Sequence, residues 1–286
     1  MIVKSDMKAC LRRAAAALVA VATATATLAF PASARAGILG FGYSDTPPAL
    51  AAKLGQPVSP TLMATLARAS KAGLELKTSP GHFQLTPING PNPAAGGKVG
   101  MLYVGAGFCP YCAGQRWGLA LTLLRFGKLD GLRYMLSSAR DVYPNTPTVT
   151  FAHASYTSPY VDLQAVETQD RKHGNLMTPN PSQRKIYRTF DAPPHVRFAG
   201  SIPFVYVGGK YIVKGLTAHP RKLEDRDWKQ IAQGLANPDS DLFKAVMPRV
   251  NLLTAAICKL DDNKPADICT APGVVAAAKL LASTNR

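Results

Sequence analysis

The chain has 286 residues, 47% of them hydrophobic and 17% charged, and its 33 Lys and Arg outweigh 17 Asp and Glu for a formal charge of +16. That length can bury a substantial core, and that composition excludes a disordered chain and a coiled coil. With 23 Gly and 23 Pro the protein should be rich in loops, and beyond the N-terminus no apolar run is long enough for a polytopic membrane protein.

Residues 1–36 read as a secretory signal. Lys4, Lys8, Arg12 and Arg13 supply a positive start, Ala14 to Phe30 is an apolar run, and Ala34-Arg35-Ala36 fits a small-residue cleavage site. The alternative is an uncleaved membrane anchor. Arg12-Arg13 lacks the flanking residues of a twin-arginine signal, and Cys10 precedes the apolar run, where a lipoprotein cysteine cannot lie. Cleavage before Gly37 would remove five basic residues and one acid, leaving a charge of +12 and four cysteines. The expected location is extracytoplasmic (periplasm, envelope or medium), where disulfides persist. The positive charge suits solubility or weak contact with an anionic envelope surface. No basic run with interleaved aromatics points to nucleic acid.

Residues 37–97 read as an N-terminal arm and linker. In it Ser59 can cap, and Pro60 open, a short helix with Leu62, Leu66 and Ala69 on one face, ended at Gly73. Ser79 to Gly97 is rich in Pro and Gly and reads as loop. An α/β domain is predicted over 98–236. Val99 to Val104 is a continuous apolar run of strand length, the pattern of a strand buried on both faces. Gly105-Ala106-Gly107-Phe108 and Cys109-Pro110-Tyr111-Cys112 follow, then a helical stripe of Trp117, Leu121 and Leu124 closed at Gly127.

Leu132 to Leu136 is the next predicted strand, which would complete a parallel strand–helix–strand unit. Thr148 to His153 and Val161 to Ala165 alternate apolar with polar residues and read as an inserted antiparallel pair, within an insertion at about 140–200. Gln183 to Phe190 is a short helix candidate. Phe204 to Val207 and Tyr211 to Val213 flank Gly208-Gly209, a two-residue hairpin signal, with Pro203 just ahead of the first strand. Trp228, Ile231 and Leu235 mark one helix. Leu242, Val246, Val250, Leu253 and Ile257 mark a longer one, with a kink expected at Pro248, in a C-terminal helical extension over 237–286.

Cys109 and Cys112 carry the chemistry. A C-x-x-C between a buried strand and a helix can open and close a small disulfide. The helix N-terminus offers unpaired N–H groups and a partial positive charge, which stabilise the thiolate of the first cysteine. Pro110 suits a first helical position, Tyr111 is neutral, and Cys112, one turn in, suits a resolving thiol. Three other uses compete. A zinc site would need Cys258 and Cys269 as further ligands, at a spacing unlike a zinc knuckle. A c-type haem would need His where Ala113 stands. A purely structural disulfide would close a short, strained loop for little entropic gain.

The block from strand through Cys109-Pro110-Tyr111-Cys112 to helix, followed by Ile202-Pro203 before a Gly-Gly hairpin and a C-terminal helix, resembles the thioredoxin superfamily. The tetrapeptide is the one common in glutaredoxins. That resemblance implies a cis Pro203 lying against the cysteine pair. Tyr103 to Cys112, Gln115-Arg116-Trp117 and Asp141 to Thr148 are similar to the DUF929 family, a likeness that extends over about Leu54 to Leu281. It implies a thioredoxin-like architecture without a settled activity. The ninety residues between Cys112 and Pro203 exceed what a minimal thioredoxin needs, hence the inserted β-hairpin region. No acid can be placed beneath Cys112 from the sequence.

Cys258 and Cys269 flank a polar loop and are expected to form a structural staple, with a redox relay as the alternative. His153, His195 and His219 have no metal-ligand spacing, Trp117 and Trp228 are expected in the core, and Arg116 is expected to be solvated. The resulting expectation is an extracytoplasmic thiol–disulfide oxidoreductase acting on protein thiols, re-set by a redox partner and needing no metal or organic cofactor. The alternatives are a redox-inactive scaffold of the same fold and a protein that handles metal through its two thiols.

Overall fold

The computed structural model describes residues 45–283. The signal-like segment, Cys10 and the start of the N-terminal arm lie outside the described residues. Helices α1 (Pro48–Ala51) and α2 (Pro60–Ala72) come first, and the Ser59 hydroxyl accepts from the Leu62 amide as expected of a cap. Strands β1 (Gln84–Pro87) and β2 (Val99–Gly105) lead into α3 (Pro110–Leu123). Four short strands follow: β3 (Lys128–Asp130), β4 (Arg133–Leu136), β5 (Pro147–Thr150) and β6 (Ser155–Thr157). Then come β7 (Val161–Glu167), α4 (Pro181–Phe190), β8 (Phe204–Val207) and β9 (Tyr211–Lys214). Helices α5 (Trp228–Ala236), α6 (Asp241–Leu260), α7 (Ala266–Cys269) and α8 (Pro272–Ser283) close the chain.

The fold is mixed α/β. A five-stranded sheet has the order β1-β9-β8-β2-β7. Strand β2 runs parallel to β7, from Val99 opposite Val161 to Gly105 opposite Glu167, and antiparallel to β8. The β8–β9 hairpin turns through Gly208 and Gly209 at φ 57° and 71°, the left-handed pair that a Gly-Gly turn supplies at low cost. Two further ribbons, β3–β6 and β4–β5, stand apart from this sheet.

Three strand expectations are corrected. Leu132 to Leu136 was expected to run parallel to β2, but β4 pairs antiparallel with β5. Val161 to Ala165 was expected in an inserted antiparallel pair with Thr148 to His153, but β7 is the parallel partner of β2. Strand β7 is a sheet edge, and Asp162, Leu163, Gln164 and Ala165 all keep partial exposure there, so polar residues are tolerated in it. The Pro/Gly-rich stretch from Ser79 holds β1, which adds to the opposite edge beside β9. A proline at its last residue is tolerated there because an edge strand has N–H groups without ladder partners.

Strand β2 is buried along its whole length. Val99, Met101 and Tyr103 join a large core with residues of α2, α3, α5, α6 and α8. Leu102 and Val104 point the other way, to Ile186 and Phe190 of α4 and to Phe204 and Tyr206. Gly114 and Gly118 let the Thr217–Ala218 segment lie directly on α3, since a Cβ on either would strike it. There Thr217 donates its amide to Gln115 Oε1 at 3.0 Å and its hydroxyl to the Gly114 carbonyl at 3.1 Å. Helix α6 runs through Pro248 as one element.

Cys258 near the end of α6 and Cys269 at the end of α7 are joined in a disulfide across a sequence separation of 11, and both are buried. Loop-closure entropy at that separation gives about 3 kcal/mol, or a Tm shift of about 6–12 °C for a chain of this size. Replacing both cysteines with Ser should therefore lower Tm by that amount and leave the reactivity of Cys109 unchanged. A Tm unchanged to within about 2 °C, well below the loop-closure figure, would contradict a structural staple.

Candidate functional site

Strand β2 ends at Gly105, and the turn from Ala106 to Phe108 delivers Cys109 to the N-terminus of α3. Cys109 is the N-cap: its sulfur accepts from the Cys112 amide at 3.2 Å, and Pro110 opens the helix. Both cysteines are free thiols. Cys109 keeps 5% of its surface exposed and Cys112 none. The hydrogen bond from the Cys112 thiol holds Cys109 below its ordinary pKa. The Cys112 and Tyr111 amides and the Arg116 charge act in the same direction, and burial opposes them. Burial first, and then Cys109 itself, push the Cys112 thiol well above the usual range. The pair is therefore asymmetric.

The Ile202–Pro203 peptide is cis, as the superfamily resemblance implied, and stands at the entry to β8. The Cys109 thiol faces the Ile202 carbonyl at 4.0 Å. Residues separated by more than ninety positions thus meet at one sulfur. Tyr111 lies at the surface and meets the rings of Tyr143 and His219, with centroids 6.0 and 6.2 Å away. Burial, then Arg221 and Arg249, hold His219 below its usual pKa. On the other flank Phe108 stacks on His173 at 4.1 Å.

Beneath the cysteines the structure corrects a further expectation. Arg116 is not solvated; it is fully buried and paired with Glu167, which is also fully buried. Its Nε and Nη2 donate to the two carboxylate oxygens at 3.1 and 2.7 Å, and Nη2 also donates to the Ala106 carbonyl at 2.7 Å. Glu167 Oε1 further accepts from the Thr150 hydroxyl at 3.0 Å and the Phe151 amide at 2.7 Å. The guanidinium also lies 5.9 Å from the centre of the Tyr103 ring. Its Nη1 and the Tyr103 hydroxyl are the two buried donors here without a partner.

Residues 84–185 match the model of a domain of unknown function, DUF929. The matched span runs from β1 into α4 and contains the cysteine pair, Arg116 and Glu167; Pro203 and the Cys258–Cys269 staple lie outside it. No curated protein and no solved structure matches the chain.

Glu167 carried a signal that residue type concealed. It falls in the phase of Val161, Leu163 and Ala165, so the alternation of the strand turns it toward the core, where a carboxylate must be paired. Among the described residues no group of His, Cys, Asp and Glu is arranged to hold a metal ion. The Cys112 thiol and the Arg116 charge can stabilise a sulfur anion at Cys109, while burial and the Cys109 sulfur keep a proton on Cys112. Removing one charge of the buried pair should be costly, because Arg116 then remains buried without a counter-ion. Glu167→Gln is expected to lower stability by about 3–5 kcal/mol in urea unfolding. A loss under about 1 kcal/mol, the size of an exposed pair, would show that the pair is solvated.

Proposed function

We propose that this protein is a thioredoxin-like thiol–disulfide oxidoreductase that acts on protein thiols outside the cytoplasm. The observation that carries this reading is the convergence of an N-capping Cys109, a buried Cys112 and the Ile202–Pro203 segment. The order of parallel β2 and β7 with antiparallel β8 and β9, and α3 leaving β2 at the cysteines, supports the thioredoxin-like assignment. The residues up to Ala36, with the features of a secretory signal, and the Cys258–Cys269 disulfide support an oxidising compartment.

In the oxidising direction a substrate thiolate attacks Cys109 of the Cys109–Cys112 disulfide. The S–S bond breaks, and Cys112 leaves and takes up a proton. A second substrate thiolate then attacks the substrate sulfur of the mixed disulfide and releases Cys109 as a thiolate. Two electrons pass from substrate to protein, and a disulfide-bearing redox partner would reoxidise the pair. In the reducing direction the Cys109 thiolate attacks a substrate disulfide, and Cys112, once deprotonated, displaces the reduced substrate. Pro203 would shape the groove in which an extended substrate backbone lies, and the exchange itself needs no cofactor.

The Cys112→Ser variant should trap mixed disulfides with partner proteins, because the resolving thiol is gone, while Cys109→Ser should trap few. The check is non-reducing electrophoresis with and without dithiothreitol. Failure to trap with either variant, together with no reversible two-thiol change in wild type, would favour a redox-inactive scaffold. Retention of one equivalent of zinc or copper would favour thiol-based metal handling.

A further inference from the structure

From Arg171 to Lys222 the chain carries ten Lys and Arg against a single acid, Asp191, and that acid is buried. Nine of the ten cations are exposed; Arg171, bonded to the Ser137 carbonyl, is half-buried. A surface so one-signed repels itself, a cost that a partner of opposite charge relieves.

The fold brings this charge to the thiol from three directions. Helix α4 buries Ile186 and Phe190, and the helical repeat turns Arg184, Lys185 and Arg188 to the opposite face. Tyr187, among them in sequence, donates its hydroxyl to the Ser201 carbonyl at 3.2 Å. The next carbonyl, of Ile202, faces the Cys109 thiol at 4.0 Å. Lys172 is exposed beside His173, whose ring stacks on Phe108, the neighbour of Cys109. Arg221 and Lys222 are exposed just beyond His219, which meets the Tyr111 ring, and the Arg221 amide donates to His219 Nδ1 at 3.3 Å.

Acids in these segments are few. Asp141 and Asp170 are half-buried, and each gives an oxygen to backbone amides, of Val142 at 2.6 Å and of Lys172 and Gly174 at 2.7 and 2.9 Å. The sign reverses past Lys222, at Glu224 and Asp225. An apolar contact stands in the loop ahead of Ile202: Phe198 is 65% exposed, with the Arg197 guanidinium 5.0 Å from its ring centre.

We infer that Cys109 exchanges with acidic polypeptides, chains whose reacting cysteine is flanked by Asp and Glu, held by the cations of α4, Lys172 and Arg221–Lys222. The inference rests on the thiol–disulfide reading above and names its substrate class. Charge complementarity selects the occupant, since carboxylates on both sides of a substrate cysteine meet cations on several sides of Cys109. Cations on three segments around one recessed thiol fit a chain passing the sulfur better than they fit a flat lipid surface.

The test uses the full chain and two short peptides, each closed by one disulfide, with Glu flanking the cysteines in one and Lys in the other. In each cycle the peptide disulfide takes up two electrons and two protons, the Cys109–Cys112 pair is oxidised, and dithiothreitol restores it. Direct reduction by dithiothreitol is subtracted. At low ionic strength kcat/KM for the Glu peptide should exceed that for the Lys peptide by about tenfold, and about 0.5 M NaCl should bring the two within about twofold. Lys185→Glu with Arg188→Glu should lower that preference by about threefold or more. Arg221→Glu with Lys222→Glu should act in the same direction, and decides the matter if the first variant does not fold.

Iodoacetamide is uncharged, and its rate with Cys109 should stay within about twofold of wild type in both variants. Equal kcat/KM for the two peptides at low salt overturns the inference. So does an unaltered preference in the variants, or an alkylation rate that falls as far as the preference does. Equal peptide rates together with binding to phosphatidylglycerol vesicles that the charge reversals abolish would reassign the face to anionic lipid. A wild-type protein that turns over neither peptide rejects the oxidoreductase reading itself and this inference with it, an outcome distinct from turnover without preference.

Discussion

The buried carboxylate of Glu167 is the point on which the site is assembled. It ends β7, accepts two bonds from Arg116 of α3, and holds Thr150 and Phe151 at the end of β5. Arg116 in turn binds the Ala106 carbonyl in the turn that carries the chain from β2 to Cys109. The β2–α3 turn, α3 itself, the end of β5 and the end of β7 are thereby fixed to one another. Taking both charges out of water costs several kcal/mol for each ion, and only close geometry with added neutral donors offsets that cost. The pair is better understood as setting position than as adding net stability.

From that anchor the asymmetry of the thiols follows. Fixing α3 against β2 places Cys109 at the free amides of the helix terminus and Cys112 inside the core. Identical side chains three residues apart therefore meet opposite environments, one rich in donors and one nearly dry. Trp117 and Trp228 consolidate this placement from the other side, each donating its indole N–H to a backbone carbonyl of the β5 ribbon, at Pro147 and Thr148. The segment before β5 also presents Tyr143 to the rim beside Tyr111.

Local chemistry was legible in the sequence; long-range pairing was less so. Ser59-Pro60, the apolar β2 run, Cys109-Pro110 at a helix start and Gly208-Gly209 each carry their own instruction within a few residues, and each forms the element it specifies. The partner of β2 does not, because β4 and β7 have similar strand patterns and only the packed sheet distinguishes them. Arg116 misled through residue type, since arginine is usually exposed, and its burial depends on a carboxylate fifty-one positions away. Strand periodicity already turned Glu167 inward, and reading those two residues together would have located the pair.

The chemistry of the site depends on unequal thiols, and the pH dependence of iodoacetamide alkylation in the reduced folded protein measures that inequality directly. Cys109 should react with a midpoint below the free-cysteine value of about 8.5, while Cys112 stays unlabelled across neutral pH. Equal labelling of the two, or a Cys109 midpoint at or above the free-cysteine value, would contradict it.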